Sequence, residues 1–237
     1  MTAYKMKRHE LSAEGMLSIV GTPIGNLGDI SFRAVDTLGG AYLIAAEDTR
    51  RTKILLNHYK LKTPLTSYNS YNKDKKGPEL LKHMKNGHEI ALVSDAGMPG
   101  ISDPLYHLVK SVIEEKILVQ AIPGPSASLS ALVISGLPMD RFSFEGFLPR
   151  KKRRKQTLTN LAEDPRTVIL YESPKRLNKT LKDLLETFGN RDIVIARELT
   201  KIHEETIRGK LSEIINEAEK RTWKGEVTLV MAGRPKS

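Results

Sequence analysis

The 237-residue sequence contains no cysteine. Disulfides, thiolate metal sites and a cysteine nucleophile are therefore excluded. Its six histidines, His9, His58, His83, His88, His107 and His203, are scattered, with no pair spaced i, i+3 or i+4. No metal site is expected from them. Residues 1–14, MTAYKMKRHELSAE, mix polar and charged groups without the apolar core of a signal peptide. Export by that route is not expected, a cytoplasmic location is, and residues 1–15 read as a flexible tail. Charge is missing over one long stretch, Ile117 to Met139, but Pro123-Gly124-Pro125 and repeated serines interrupt it. That pattern reads as a buried strand, a tight loop and a buried helix, not a membrane span.

What is present describes a folded, basic protein. Hydrophobic residues make up 39% and charged residues 28%, with no low-complexity tract beyond one short basic run. The length suits one large domain or two of roughly a hundred residues each. The formal net charge of +10 creates a field that attracts phosphate polyanions or anionic surfaces, without identifying which.

Short apolar runs alternate with helical periodicities, the pattern of α/β layers around a mainly parallel sheet. Strands are expected at Leu17–Val20, Tyr42–Ala46, Ile90–Ser94 and Leu118–Ile122. Asp103-Pro104 reads as a helix start, followed by one apolar stripe of Leu105, Leu108, Val109, Val112 and Ile113. After Pro125 come a helix at Ser126–Ser135 and strands at Phe142–Leu148, Thr167–Tyr171, Ile193–Ala196 and Glu226–Met231. Further helices are expected at Gln156–Ala162, Lys175–Phe188 and Leu211–Arg221. Two α/β domains, 16–125 and 126–237, follow from this, with a cleft between them as the natural ligand site.

Three segments sit at strand exits. Gly21-Thr22-Pro23-Ile24-Gly25-Asn26-Leu27-Gly28-Asp29 lets backbone approach a ligand closely at the carboxyl edge of a sheet. It is not the dinucleotide fingerprint: the G-x-G-x-x-G spacing is absent and Pro23 removes an amide. Ser94-Asp95-Ala96-Gly97-Met98-Pro99-Gly100 places small residues around one carboxylate and one thioether, suited to a flat ring and a ribose, or to a plain capping loop. Pro123-Gly124-Pro125-Ser126-Ala127-Ser128 ends with a serine at a helix start, where free amides can hold a carboxylate or the serine can simply cap.

Together the three loops resemble the tetrapyrrole-methylase superfamily, whose members bind S-adenosylmethionine in the cleft between two α/β domains. Four more segments narrow the resemblance to the small-subunit rRNA methyltransferase I family. They are Ala46-Glu47-Asp48-Thr49-Arg50-Arg51-Thr52, Glu145-Gly146-Phe147-Leu148-Pro149-Arg150, Tyr171-Glu172-Ser173-Pro174-Lys175-Arg176 and Ala196-Arg197-Glu198-Leu199-Thr200-Lys201. The likeness runs from about Leu17 to Gly233. It implies 2′-O-methylation of a cytidine in the decoding region of 16S rRNA, within the small ribosomal subunit, by a homodimer. It also implies cofactor contacts from Ile24, Asp95, Gly97, Met98, Ser126 and Ala127, with Tyr171 and Thr228 closing over the adenine. Several family members continue past the last strand into a helical extension, whereas this sequence stops at Ser237, so RNA contacts of that kind are not expected.

The run Arg150, Lys151, Lys152, Arg153, Arg154, Lys155 can neutralise several phosphates, or form a solvated helix start. Arg50 and Arg51, with Lys53, extend the cationic set. Tyr68 and Tyr71 either stack on exposed bases or pack. A sulfonium donor is already a strong electrophile, so the protein's work is to position the acceptor oxygen and to help remove its proton. Glu47 and Asp48 are the expected bases, with Glu145 and Glu172 as alternatives. Two rival readings stay open: methylation of a corrin or porphyrin precursor, and a non-catalytic RNA-binding protein on the same fold.

Overall fold

The computed structural model describes residues 15–100 and 105–235. The expected tail and the Asp103-Pro104 helix start lie outside the described residues. The chain divides into two compact units, one joining residues up to Thr22 with Ile30–Gly124 and the other joining Pro23–Asp29 with Pro125 onward.

The first unit alternates strands and helices: β1 (Met16–Val20), α1 (Phe32–Gly40), β2 (Leu43–Ala46), α2 (Thr49–His58), β3 (Leu65–Ser67), α3 (Lys73–Lys85), β4 (Glu89–Val93), α4 (Leu105–Glu114) and β5 (Leu118–Ile122). The strands form a parallel sheet in the order β3-β2-β4-β1-β5. Leu17, Ala45, Ile90 and Leu92 meet Leu80 and Met84 of α3 and Leu105, Leu108 and Val112 of α4 in one core. Ile113 departs from the expected stripe and is exposed, because the buried arc of α4 is filled by its neighbours at i−5 and i−1 (Leu108 and Val112). The order matters for function. From β2 the chain crosses to β3 on one side, and from the adjacent β4 it crosses to β5 on the other. Neighbouring strands whose connections diverge in this way open a crevice at their carboxyl ends.

The second unit contains α5 (Ala127–Ser135), β6 (Phe142–Phe147), α6 (Arg154–Ala162), β7 (Thr167–Glu172), α7 (Leu177–Phe188), β8 (Asp192–Arg197), β9 (Glu205–Lys210), α8 (Leu211–Ala218) and β10 (Val227–Met231). Its sheet, β6-β7-β10-β8-β9, is parallel only between β6 and β7. The expectation of mainly parallel pairing fails here, since β8 and β9 are joined by a short loop and β10 inserts antiparallel between β7 and β8. Alternation along β10 serves two cores. Val227, Leu229 and Met231 face α6, α7 and α8, while Val230 faces α5.

The Pro23–Asp29 segment was expected in the N-terminal domain but packs with the second unit. Ile24, 8% exposed, inserts among Ala131, Leu132, Ile169, Val194 and Val230. The Asn26 amide donates to Thr200 Oγ1 at 3.0 Å. No helix among the described residues is long and apolar enough to cross a membrane.

Candidate active site

In the first unit, the exits of β1, β4 and β5 converge. The Thr22 amide donates to the Gly97 carbonyl and the Gly97 amide returns to Thr22, both at 3.0 Å. The Gly21 amide donates to Ile122 at 3.0 Å. These bonds tie the three loops together. Two glycines are required by the closeness of the approach: a Cβ on Gly21 would lie 2.7 Å from Gly124 Cα and 2.7 Å from Met98 Sδ. Gly97 has φ +77°, a conformation that side chains with a Cβ rarely adopt.

The carboxylates form the polar half of the site. Glu47 follows β2, and its Oε2 accepts the Asp95 amide at 3.3 Å. Arg51 Nε stands 3.6 Å from Asp95 Oδ2. Asp95 Oδ1 is buried with no hydrogen-bond partner among the described residues. An acceptor desolvated and left unpaired costs about 1–3 kcal/mol, and a ligand hydroxyl would remove that cost. The loop set thus fits a ribose-bearing cofactor: an orphaned carboxylate oxygen beside tightly packed glycine backbone and the half-buried thioether of Met98.

Asp48 behaves differently. It is the N-cap of α2, accepting the Arg50 amide at 2.8 Å, and it holds the Arg50 guanidinium at 3.0 and 2.7 Å. The Arg50 hydrogen bond lowers its carboxyl from 3.8 to about 2. A carboxylate that acidic is a weak proton acceptor.

In the second unit, Ile24, Tyr171 and Thr228 share one face of the sheet. Thr228 is opposite Tyr171 on β7 and Ala196 on β8, and Tyr171 packs edge-on against Phe144 at 5.0 Å between ring centroids. Ser126 takes the N-cap position of α5, but its side chain makes no cap bond and its Oγ lies 2.9 Å from Ser128 Oγ. Ala127 opens the helix and packs against the cluster around Ile24.

The basic run divides. Arg150, Lys151, Lys152, Arg153 and Lys155 are exposed, but Arg154 is 8% exposed and turned inward. Its Nε donates to Asp183 at 2.9 Å, its Nη2 to Thr180 Oγ1 at 2.9 Å, and its Nη1 to the Pro149 carbonyl at 3.4 Å. Arg154 is therefore removed from the RNA-binding set, because its donors are used internally. Glu172 belongs to the same network. It is 2% exposed, accepts from Thr180 Oγ1 at 2.6 Å and the Ser173 amide at 2.8 Å, and pairs with Arg176 at 3.3 Å. A buried carboxylate so fully satisfied is a structural brace, not a base. Tyr68 is 4% exposed and belongs to the core, whereas Tyr71 is fully exposed.

Sequence reasoning did not find the contact between Glu47 and Asp95, whose residues are far apart in the chain. Nor did it find that Thr200 seats the loop after β1; the left-handed backbone at Glu198 and Thr200 gives no pattern in the residue types. Among the described residues there is no group of three or more His, Cys, Asp or Glu side chains placed to hold a metal ion.

Residues 16–215 match the family model described as tetrapyrrole (corrin/porphyrin) methylases. A protein of Thermotoga maritima called ribosomal RNA small subunit methyltransferase I is 52% identical over 220 residues, covering 93% of this chain and 99% of its own. Proteins of the same name from Halalkalibacterium halodurans (52%, covering 93% and 76%) and Bacillus subtilis (46%, covering 98% and 80%) are similarly related. Among solved structures, a cobalt-precorrin-4 methyltransferase superposes with a TM-score of 0.69 at 14% identity, covering 93% and 95% of the two chains. A uroporphyrin-III C-methyltransferase from Thermus thermophilus gives 0.63 at 16%, covering 92% and 94%. At that identity the structural likeness speaks for the fold alone, whereas the sequence matches speak for the family. By both the family model and its full-length relatives, the chain belongs to the tetrapyrrole methylases and, within them, to the ribosomal RNA small subunit methyltransferase I family.

Proposed function

We propose that this methyltransferase modifies the 2′-hydroxyl of a cytidine ribose in the decoding region of 16S rRNA, with S-adenosylmethionine as donor. The observation that carries the reading is the Glu47–Asp95 contact at the diverging exits of β2 and β4, with Asp95 Oδ1 left to accept from a ligand. Relatives that bear the name ribosomal RNA small subunit methyltransferase I support the RNA substrate.

When bound, S-adenosylmethionine supplies an electrophilic methyl carbon on a sulfonium. Asp95 Oδ1 would accept from a cofactor ribose hydroxyl, and the backbone around Gly97 and Met98 would line its place. Arg51 holds the other Asp95 oxygen, fixing the carboxylate. The Ser126 side chain makes no cap bond at the start of α5, an end that suits a carboxylate, and Ile24, Tyr171 and Thr228 would add an apolar face with two hydroxyls. Glu47 is the general base: its Oε2 accepts the Asp95 amide, and it is not used as a cap, unlike Asp48. Arg50, Arg51, Arg150, Lys151, Lys152, Arg153 and Lys155 attract the RNA backbone. The enzyme acts on the small ribosomal subunit, as a homodimer.

The test is transfer of tritiated methyl groups to assembled small subunits, to naked 16S rRNA and to precorrin, with ribose-methylation mapping of the product. Label at one cytidine 2′-oxygen is expected. Label on precorrin alone overturns the reading, and failure to bind S-adenosylmethionine in calorimetry favours a non-catalytic RNA-binding role.

A further inference from the structure

Beside the carboxylates, on the same unit, lies an open depression of about 610 Å³. It is lined by Thr49, Arg50 and Lys53 of α2, by Leu65, Thr66 and Ser67 of β3, and by Lys76 of α3. Three cations and three hydroxyls therefore face one concavity on a short edge strand. Arg50 and Lys76 have partners, Asp48 and Glu79. Lys53 has no ion pair among the described residues.

The loop leaving β3 at Ser67 leads into α3, which carries Lys76, so it connects two walls of this depression, and Tyr71 stands on it, wholly exposed. The loop is not slack. Asn72 Nδ2 donates to Ser67 Oγ at 2.9 Å, the Asn69 amide to Asn72 Oδ1 at 2.9 Å, and the Tyr71 amide to Asn69 Oδ1 at 3.1 Å. The same loop is attached to the proposed base, because the Tyr68 amide donates to the Ala46 carbonyl at 2.8 Å and Asn69 Nδ2 to the Glu47 carbonyl at 3.5 Å. Tyr68 is buried and anchors the loop; Tyr71 has no such use. An exposed aromatic ring on a hydrogen-bonded loop that leads between clustered cations suits single-stranded nucleic acid, with the ring under a base and the cations along the backbone.

We propose that this depression and Tyr71 form a subsite for a nucleotide neighbouring the methylated one: its phosphate lies against Lys53, Arg50 and Lys76, and its base stacks on Tyr71. The inference rests on the RNA substrate proposed above and adds where the flanking strand runs. An acidic protein segment is the competing occupant, but it has no use for an exposed ring on the loop that joins two walls of the depression.

The test measures binding without chemistry. The probe is a fluorescein-labelled single-stranded RNA oligonucleotide carrying the decoding-region sequence, titrated by anisotropy against wild-type protein, Tyr71→Ala, Tyr71→Phe and Lys53→Gln. Stacking predicts affinity lower by about five- to a hundredfold in Tyr71→Ala and recovered in Tyr71→Phe. Lys53→Gln is expected to flatten the slope of log affinity against log salt by about 1. S-adenosylmethionine affinity, read by calorimetry in Tyr71→Ala, reports that the variant is folded. Wild-type affinity in Tyr71→Ala, or a Phe variant as weak as the Ala variant, overturns the subsite. A defect seen only on assembled subunits, with oligonucleotide binding intact, assigns the surface to a ribosomal protein and also overturns it. Methyl transfer by wild-type protein to small subunits is scored separately, so a failure of the enzymatic reading is distinguishable from a failure of the subsite.

Discussion

Two clusters of carboxylates and arginines, one in each unit, use the same residue types for opposite ends. Around Glu172 every oxygen is answered: Thr180, Ser173 and Arg176 donate to it, and Arg154 joins Thr180 to Asp183. Around Asp95 the geometry stops short, with one oxygen held by Arg51 and the other buried without a partner. Closed networks brace a fold, whereas open ones store an interaction for a ligand. The sequence motifs YESPKR and AEDTRRT look alike in composition, and only the hydrogen bonds tell them apart.

The largest effect that would break this contrast is expected at Glu47. Glu47→Gln keeps an acceptor for the Asp95 amide but removes the base, and is expected to lower methyl transfer by about a hundredfold or more, with calorimetric S-adenosylmethionine affinity retained. Wild-type turnover would move the base elsewhere. Next comes Arg154→Ala, which removes a buried guanidinium that joins Asp183, Thr180 and the Pro149 carbonyl, leaving Thr180 with Glu172 alone and Asp183 with Lys179 alone among the described residues. Chemical denaturation is expected to show a loss of about 3 kcal/mol, with RNA affinity of the folded protein unchanged; weaker RNA binding without a stability loss would return Arg154 to the cationic surface. Asp95→Ala should weaken S-adenosylmethionine binding by about ten- to a hundredfold with little change in melting temperature, the reverse of the Arg154 pattern.

The smallest effect concerns Asp48 and pH. Its folded-state carboxyl, near 2, lies below the ordinary 3.8. The stabilisation it gives through Arg50 and the α2 cap is therefore complete above about pH 4 and lost as pH falls toward 2. Asp48→Asn keeps a capping oxygen; its melting temperature is expected to match the parent at pH 2 and to fall slightly short of it at pH 6. A difference that grows on acidification would reverse the sign.

Where residue patterns carry a physical signal, the fold was legible. β1, β4 and β5 are mainly apolar runs that give way to Gly21, Ser94 and Pro123-Gly124, and α7 carries a clear stripe of Leu177, Leu181, Leu184 and Phe188. β3 has only three residues, too few for alternation, and β9, Glu-Thr-Ile-Arg-Gly-Lys, is a polar edge strand with no fully buried side chain. α2 was hidden because Arg50, Arg51 and Lys53 on its exposed side mask Thr52, Leu55 and Leu56 beneath. For the site, the loops were readable as small-residue strand exits, but the roles within them were not. Arg154 is one of six consecutive cations, and only the left-handed turn at Arg153, φ +70°, that starts α6 turns it inward. Likewise nothing in Ala46-Glu47-Asp48 says that one acid caps a helix while its neighbour meets Asp95.

The excursion of Pro23–Asp29 into the second unit makes the peptide chain pass between the two units three times. Neither unit is then a contiguous piece of gene. Severing the chain after Gly124 would deprive the second core of Ile24 and leave the first with a stranded seven-residue arm. During synthesis Ile24 emerges early, and its partner Val230 follows roughly two hundred residues later, so the loop after β1 is completed only when translation is nearly over. An unfinished chain of this protein cannot seat that loop in its core.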